Sequence, residues 1–483
     1  MQQAYEVVIG LEAHVQLATR TKMFSPATCV FGRPPNTQVE PVCLGLPGSL
    51  PVINDRAVDL AVQAALALGC DIHRHSRFDR KHYFYPDLPK GYQISQYDQP
   101  YCTGGGVTID LPDGEQRYIR LTRIHMEEDA GKLVHQEGGR YSLVDLNRAG
   151  TPLCEIVSEP DMHSPQEAYA FLAELRRTLK FAGISDCEMQ EGSLRCDANI
   201  SIRPVGQERL GTKVEVKNLN SFRAVEASIA YEIEQQIALH RAGRYDEVRQ
   251  CTKLWNPDDR ITQVMREAKE DADEYRYFPD PDLPPLQIDD ARIDRLRVAL
   301  PELPRQRQER FVADWGLHPA VAAELTAERD IADYAEALVD RGIAAKLAAN
   351  WTREEGLRLA AATGRPLAQA APLATMAELI QLVAADQVAR VVAKGACDEL
   401  FASGEAPRTW FDARGMLQEQ DDEALAGWVA EAIAANDKAV ADIKAGNRKA
   451  AGRLVGAVMK ASGGKANPKA VQPEVLKQLG IES

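Results

Sequence analysis

An α+β fold is the class that this sequence predicts, and three observations lead to it. Strand-like stretches and two capped helices share roughly the first 293 residues without the regular spacing of βαβ units. A proline-rich segment, Tyr277 to Leu286, then leaves that region as an ordered loop, because its prolines forbid a helix. From residue 294 the chain is alanine-rich and helical, with no strand signal. These changes divide it into an α+β region over 1–293, an all-α helical domain over 294–407 and a small α-helical tail over 408–483.

The elements follow in order. From Tyr5 to Leu17 the apolar residues Tyr5, Val7, Ile9, Leu11, Ala13, Val15 and Leu17 alternate strictly, so Glu12, His14 and Gln16 emerge on the other face of a strand. Two further strand-like segments, Leu121 to Lys132 and Thr151 to Asp161, are also acidic. Ser164, Pro165 and Glu167 open a helix that carries Phe171, Leu172, Leu175 and Leu179 and stops at Gly183. Leu194 to Arg203 alternates again, with Arg195, Asp197, Asn199, Ser201 and Arg203 on the polar face. A second long helix begins near Ser221 and stops at Gly243. Phe78 to Gln96 reads as a loop in which aromatics mix with Arg80, Lys81 and Lys90. Lys213, Glu215 and Lys217 share one strand face, which a solvated surface explains as well as a site does.

If the three acidic strands meet, their carboxylates and one imidazole converge. Two carboxylates about 5 Å apart repel by roughly 3 kcal/mol at an effective dielectric constant of about 20. A shared proton or a bound cation relieves this, and oxygen-rich ligation with one histidine suits Mg²⁺ or Mn²⁺ better than structural zinc. The alternative is three separate surface acids paired with Arg123, Lys132 and Arg148.

Composition narrows the function classes. Hydrophobic content of 45% and charged content of 27% belong to an ordinary globular protein. No apolar run reaches the roughly 18 residues that span a bilayer, and the start of the chain has no signal-peptide pattern. Nine scattered cysteines argue for reduced thiols in a cytosol-like compartment. The net charge of -14 is uneven. Between Lys438 and Lys477, nine basic residues against two acidic ones make +7, leaving -21 elsewhere. Arg448, Lys449, Arg453 and Lys460 stand out there as a footprint for a phosphate backbone, a lysine-rich solvated helix face being the alternative. There is no phosphate-binding Gly-x-x-x-x-Gly-Lys loop and no Gly-x-Ser-x-Gly elbow, so any nucleotide chemistry needs another fold and any amide hydrolysis another chain.

Several long motifs occur in order: Val8-Ile-Gly-Leu-Glu-Ala-His-Val-Gln16, Lys22-Met-Phe-Ser-Pro26, Phe84-Tyr-Pro-Asp87 through Gln93-Ile-Ser-Gln96, and His125-Met-Glu-Glu-Asp-Ala-Gly-Lys132. Val144 to Pro152, Gly192 to Ile200 and Lys217 to Phe222 continue the series. End to end, the chain closely resembles the family of B subunits of bacterial tRNA-dependent glutamate/aspartate amidotransferases. The resemblance implies an antiparallel-sheet cradle, a helical domain and a tail that grips tRNA. It implies a cytoplasmic heterotrimer with an amidase-like A subunit, which releases ammonia from glutamine, and a small C subunit. The charging aminoacyl-tRNA synthetase is a further candidate partner; a membrane is not.

The B subunit of that family uses ATP and Mg²⁺ to phosphorylate the side-chain carboxyl of Glu-tRNA(Gln) or Asp-tRNA(Asn), and ammonia then displaces phosphate. The family's metal-site positions fall here on Glu12, His14, Glu128 and Glu155; whether Glu127 or Glu128 faces the metal depends on a bend at Asp129 to Gly131. Lys81, Tyr83, Lys90 and Lys217 are expected along the route of ammonia. Some relatives carry a four-cysteine zinc site after Lys22-Met-Phe; Ser25, Ala27, Glu40 and Cys43 stand at those positions here, so no zinc is expected. The competing classes are a noncatalytic tRNA-binding scaffold and a free-standing metal-dependent phosphotransferase.

Overall fold

The computed structural model describes residues 4–135, 139–266, 272–418, 422–445, 451–462 and 466–481. It divides into two compact units, 1–303 and 304–483. The architecture is α+β: the strands lie in the first unit, and the second is helical.

The first unit is built on a ten-stranded sheet. Its path runs Ile261–Arg266, Cys251–Asn256, Val214–Leu219, Leu194–Pro204, Tyr5–Gln16, Pro152–Ser158, Gln116–Glu128, Cys102–Thr103 and Asp71–Ile72, while Gly106–Asp110 adds to Gln116–Glu128. Neighbours are antiparallel except Val214–Leu219 and Cys251–Asn256, which run parallel, so the sheet is mixed where a purely antiparallel one was expected. The helix Phe222–Arg241 separates those two strands in sequence, and a helical crossover is the connection that parallel neighbours need.

Alternation decides what each face does. Ile9, Leu11, Ala13 and Val15 are buried in one core with Ile124, Met126, Ile156, Cys196 and Ala198. Against it pack Ala57 to Ala65 of the helix Asp55–Ala67, Phe171 to Leu179 of Pro165–Phe181, and Val225 and Ile229 of Phe222–Arg241. The caps that the sequence predicts are in place. Ser164 accepts from the Glu167 amide, Glu167 in turn accepts from the His163 amide at 2.9 Å, and Ser221 accepts from the Ala224 amide. Gly183, at φ 70°, stops the first of these helices in the left-handed region.

Two segments differ from expectation. Phe78 to Gln96 is a hairpin rather than a loop throughout, because Asp79–His82 pairs antiparallel with Tyr92–Ser95. The proline-rich segment does not leave the first unit. Phe278–Pro279 extends that hairpin, Leu286–Gln287 pairs with His75–Ser76, and Arg80 donates to Asp280 at 2.8 Å. The helix Asp290–Ala299 follows, with Ile293 and Leu296 in the first core and Arg292 bonded to Asp59. The boundary expected at 293/294 therefore falls inside this helix, and the contacts place it at 303/304.

In the second unit, Tyr334, Leu338, Trp351, Met376, Leu379 and Leu400 form one core, and Val429, Leu454, Val458, Val471 and Val475 another. Trp410 and Phe411 of the helix Pro407–Ala413 belong to the former, so a tail starting at 408 would cut through a packed helix. No described helix is long and apolar enough to cross a membrane.

Candidate functional site

The sheet face turned away from the helices carries the polar residues, and register sets their order. His14 lies opposite Glu155 on one side and Arg195 on the other, and Glu155 lies opposite His125. One residue pair along, Glu12 is flanked by Asp197 and Val157. Glu127 shares the His125 face, since two residues along a strand return a side chain to the same side.

The result is a ring of two imidazoles and two carboxylates. His14 Nδ1 is 2.9 Å from Glu127 Oε1 and 3.8 Å from Glu155 Oε2. His125 Nε2 is 3.1 Å from Glu155 Oε2 and 4.0 Å from Glu127 Oε2. Donor atoms of His14, Glu127 and Glu155 all lie within 4.8 Å of one another, close enough to share one ion. Burial would push the Glu155 carboxyl up, but His125 and His14 outweigh it and hold Glu155 well below the usual carboxylate range. Burial likewise works against the His14 charge, yet Glu155 and Glu127 raise that imidazole to about 9. The cluster thus keeps Glu155 ionised and holds a proton on His14, where a cation could stand. One nitrogen and two oxygens fit Mg²⁺ or Mn²⁺.

Glu128 does not join this ring. Ile124, Met126 and Glu128 point to the core side, where Glu128 pairs with Lys90 and accepts from the Ile94 amide at 3.0 Å. Where Glu128 was expected, Glu127 is the carboxylate that stands beside His14 and Glu155. Strand parity through Ile124 and Met126 was the signal, since those two apolar residues already assign Glu128 to the core face. Glu12 is beside the ring rather than in it. It accepts from Asn199 Nδ2 at 2.9 Å, and burial, then Glu155 and Glu215, push its carboxyl up.

Two family profiles match the chain: one described as the GatB/GatE catalytic domain over residues 7–294, the other as the GatB domain over 333–479. The chain belongs to the GatB/GatE family. Among similar proteins is the B subunit of the aspartyl/glutamyl-tRNA(Asn/Gln) amidotransferase of Moorella thermoacetica, 50% identical over 98% of this chain and 100% of that one. The B subunits of the same enzyme from Thermosynechococcus vestitus and Leptospira biflexa are each 47% identical, over 98% and 99% of this chain and 96% and 98% of theirs. The His14, Glu127 and Glu155 cluster lies inside the segment matched as the GatB/GatE catalytic domain.

The other expected residues of this GatB/GatE chain fall on two flanks. Lys90 is bound to Glu128, Lys81 Nζ lies 4.6 Å from the centre of the Tyr275 ring, and Tyr83 is a half-buried phenol raised by desolvation and by Asp87 and Asp129. Lys217 instead pairs with Asp197 at 3.1 Å and Glu215 at 3.2 Å. Four strand spacings separate its strand from that of Glu128, about 19 Å at the usual spacing. Lys217 thus stands beside Asp197 and Glu215, on the Glu12 flank of the sheet. Sequence reasoning also passed over Arg195, which donates to Asp129 at 2.7 Å, and the Tyr277 ring, stacked on Tyr97 at 4.3 Å. Cys43 Sγ accepts from buried Lys22 at 3.5 Å, and Cys29 Sγ donates to the Thr19 carbonyl at 3.3 Å. In the tail, Arg453 and Lys460 are exposed on the helix Ala451–Ala461, whereas Arg448 and Lys449 lie outside the described residues.

Proposed function

We propose that this chain is the B subunit of a cytoplasmic aspartyl/glutamyl-tRNA(Asn/Gln) amidotransferase and that its first unit activates the misacylated carboxyl. One observation carries the reading: His14, Glu127 and Glu155 converge from three strands on a single point. A scaffold that only held tRNA would have no use for two carboxylates kept in contact with two histidines.

In the proposed reaction the terminal phosphoryl group of ATP passes to the side-chain carboxylate of glutamate or aspartate on tRNA(Gln) or tRNA(Asn). ADP leaves, and an acyl phosphate forms. Ammonia from glutamine hydrolysis in an A subunit then attacks the carbonyl carbon and phosphate departs, with a small C subunit completing the complex. His14, Glu127 and Glu155 would hold Mg²⁺, with Glu12 next to them. The ion would supply charge that lets the triphosphate and the acyl carboxylate approach each other. Asn199 fixes Glu12, and Arg195 and Arg148 hold Asp129 at the end of the Glu127 strand. Lys81, Tyr83 and Lys90 form the flank by which ammonia would arrive, and Lys217 belongs to the Glu12 flank instead.

Reconstitution with the A and C subunits tests this, following ATP-dependent amidation of Glu-tRNA(Gln) and Asp-tRNA(Asn) separately. Glu127→Ala should abolish both amidations while glutamine hydrolysis continues; amidation at the wild-type rate in that variant would refute the site. Lys90→Met should uncouple glutamine hydrolysis from amidation yet spare amidation driven by added ammonium. Equal failure with both nitrogen sources would move Lys90 out of the ammonia route.

A further inference from the structure

The ring of donors contains one member with no assigned task. His125 is 3% exposed, and its strand position opposite Glu155 places it on the side of that carboxylate away from His14. Its Nε2 reaches Glu155 Oε2 at 3.1 Å, whereas its Nδ1 is buried with no hydrogen-bond partner. A buried N–H without an acceptor is rarer and costlier than a nitrogen lone pair without a donor. Nε2, with an acceptor in reach, is therefore the nitrogen that donates.

We propose that His125 is a positioning residue that donates Nε2–H to Glu155 Oε2 and thereby holds that carboxylate beside the cation shared with His14 and Glu127. This rests on the metal-site reading above. The physical need is plain. A carboxylate on a flexible two-carbon stem can swing toward either neighbouring imidazole, and His14 Nδ1 is already 3.8 Å from the same oxygen. A donor on the far side removes that freedom before the ion arrives. Outer partners of this kind set ligand orientation, and losing one typically lowers metal affinity by about 10- to 100-fold. His125 thus acts through Glu155 and touches neither substrate nor ion.

The two ring nitrogens can be mimicked separately. The amide nitrogen of glutamine reaches about as far as Nε2, and that of asparagine only about as far as Nδ1. His125→Gln and His125→Asn are both polar and of similar bulk, and each is assembled with the A and C subunits. Mn²⁺ affinity is read by titration calorimetry without ATP or tRNA, and the Mg²⁺ dependence of amidation is read separately from its maximal rate. His125→Gln should bind Mn²⁺ within about threefold of wild type. His125→Asn should bind at least about tenfold more weakly, need correspondingly more Mg²⁺, and recover its maximal rate when Mg²⁺ is saturating. Equal affinities in the two variants, whether both intact or both lost, would overturn the positioning role. Glu155→Gln serves as the reference: if it binds Mn²⁺ as wild type does, the metal site itself is misassigned and the role of His125 falls with it.

Discussion

On the proposed site, a proton on His14 and a metal ion would compete for the same place between two carboxylates. The imidazole is raised to about 9 from an ordinary 6.5. Its charged form therefore stabilises the metal-free protein fully below pH 6.5, and that contribution is lost as pH rises through about 9. A metal must displace the proton, so Mn²⁺ affinity should climb roughly tenfold per pH unit between about pH 7 and 8.5 and level off above about 9. A flat profile in calorimetric titrations would remove His14 from the ligand set. Glu127 and Glu128 make the opposite pair of cases. Removing Glu127 should cost metal binding and part of the stability that the charged His14 contributes. Removing Glu128 leaves Lys90, only 9% exposed along its side chain, without its anion. Breaking a buried pair costs about 3 kcal/mol or more, so Glu128→Ala should unfold at a lower denaturant concentration than wild type while its metal binding persists.

Among the elements, the helix Asp290–Ala299 is the one whose allegiance the chain alone concealed. Its core contribution is only Ile293 and Leu296, and seven of its ten residues are charged or small, so its surroundings read as a linker. Those two side chains nevertheless complete the first core, and Arg292 ties the helix to Asp59 of Asp55–Ala67. Leu296→Ala should destabilise the first unit by about 2 to 5 kcal/mol, measured by denaturant unfolding of the intact chain. An effect below about 0.5 kcal/mol would be that of a linker helix. The strands were easier to read. Strict alternation from Tyr5 to Leu17 and from Leu194 to Arg203 placed both core faces correctly, because a sheet with helices on one side imposes period two. The hairpin Asp79–His82 with Tyr92–Ser95 escaped notice because its strands are four residues each and carry Arg80 and Lys81, which weaken the apolar signal.

For the whole molecule, charge separates the two ends of the chain. The helix Ala451–Ala461 buries Ala451, Leu454 and Val458 and leaves Arg453 and Lys460 exposed seven residues apart, hence on nearly one side. Contacts of that kind position a phosphate backbone without reading its sequence. Deleting the tail from residue 422 spares Trp410 and Phe411, which a cut at 408 would strip from the neighbouring core. That deletion should weaken binding of misacylated tRNA and lower the slope of log affinity against log salt by about 2 to 4 units, as expected for three to four lost phosphate contacts. An unchanged slope in an assembled complex would mean that the tail is basic for solubility alone.

Local rules were enough for the α+β class, the helix caps, both long helices and the faces on which Glu12 and His14 emerge. Each is dictated by neighbours within a few residues, through strand alternation, helical spacing and capping chemistry. Motif resemblance added the family and the expected metal positions, carried by ordered blocks of residues, where the acidic strand faces already suggested a cation. Tertiary structure alone decided which carboxylates meet. His14, Glu127 and Glu155 lie on strands more than a hundred residues apart at the extremes, and only the register of three paired strands brings their donor atoms within 4.8 Å. The same register placed Lys217 on the far flank and set His125 behind Glu155. Register is a property of paired strands, so no single strand could declare it.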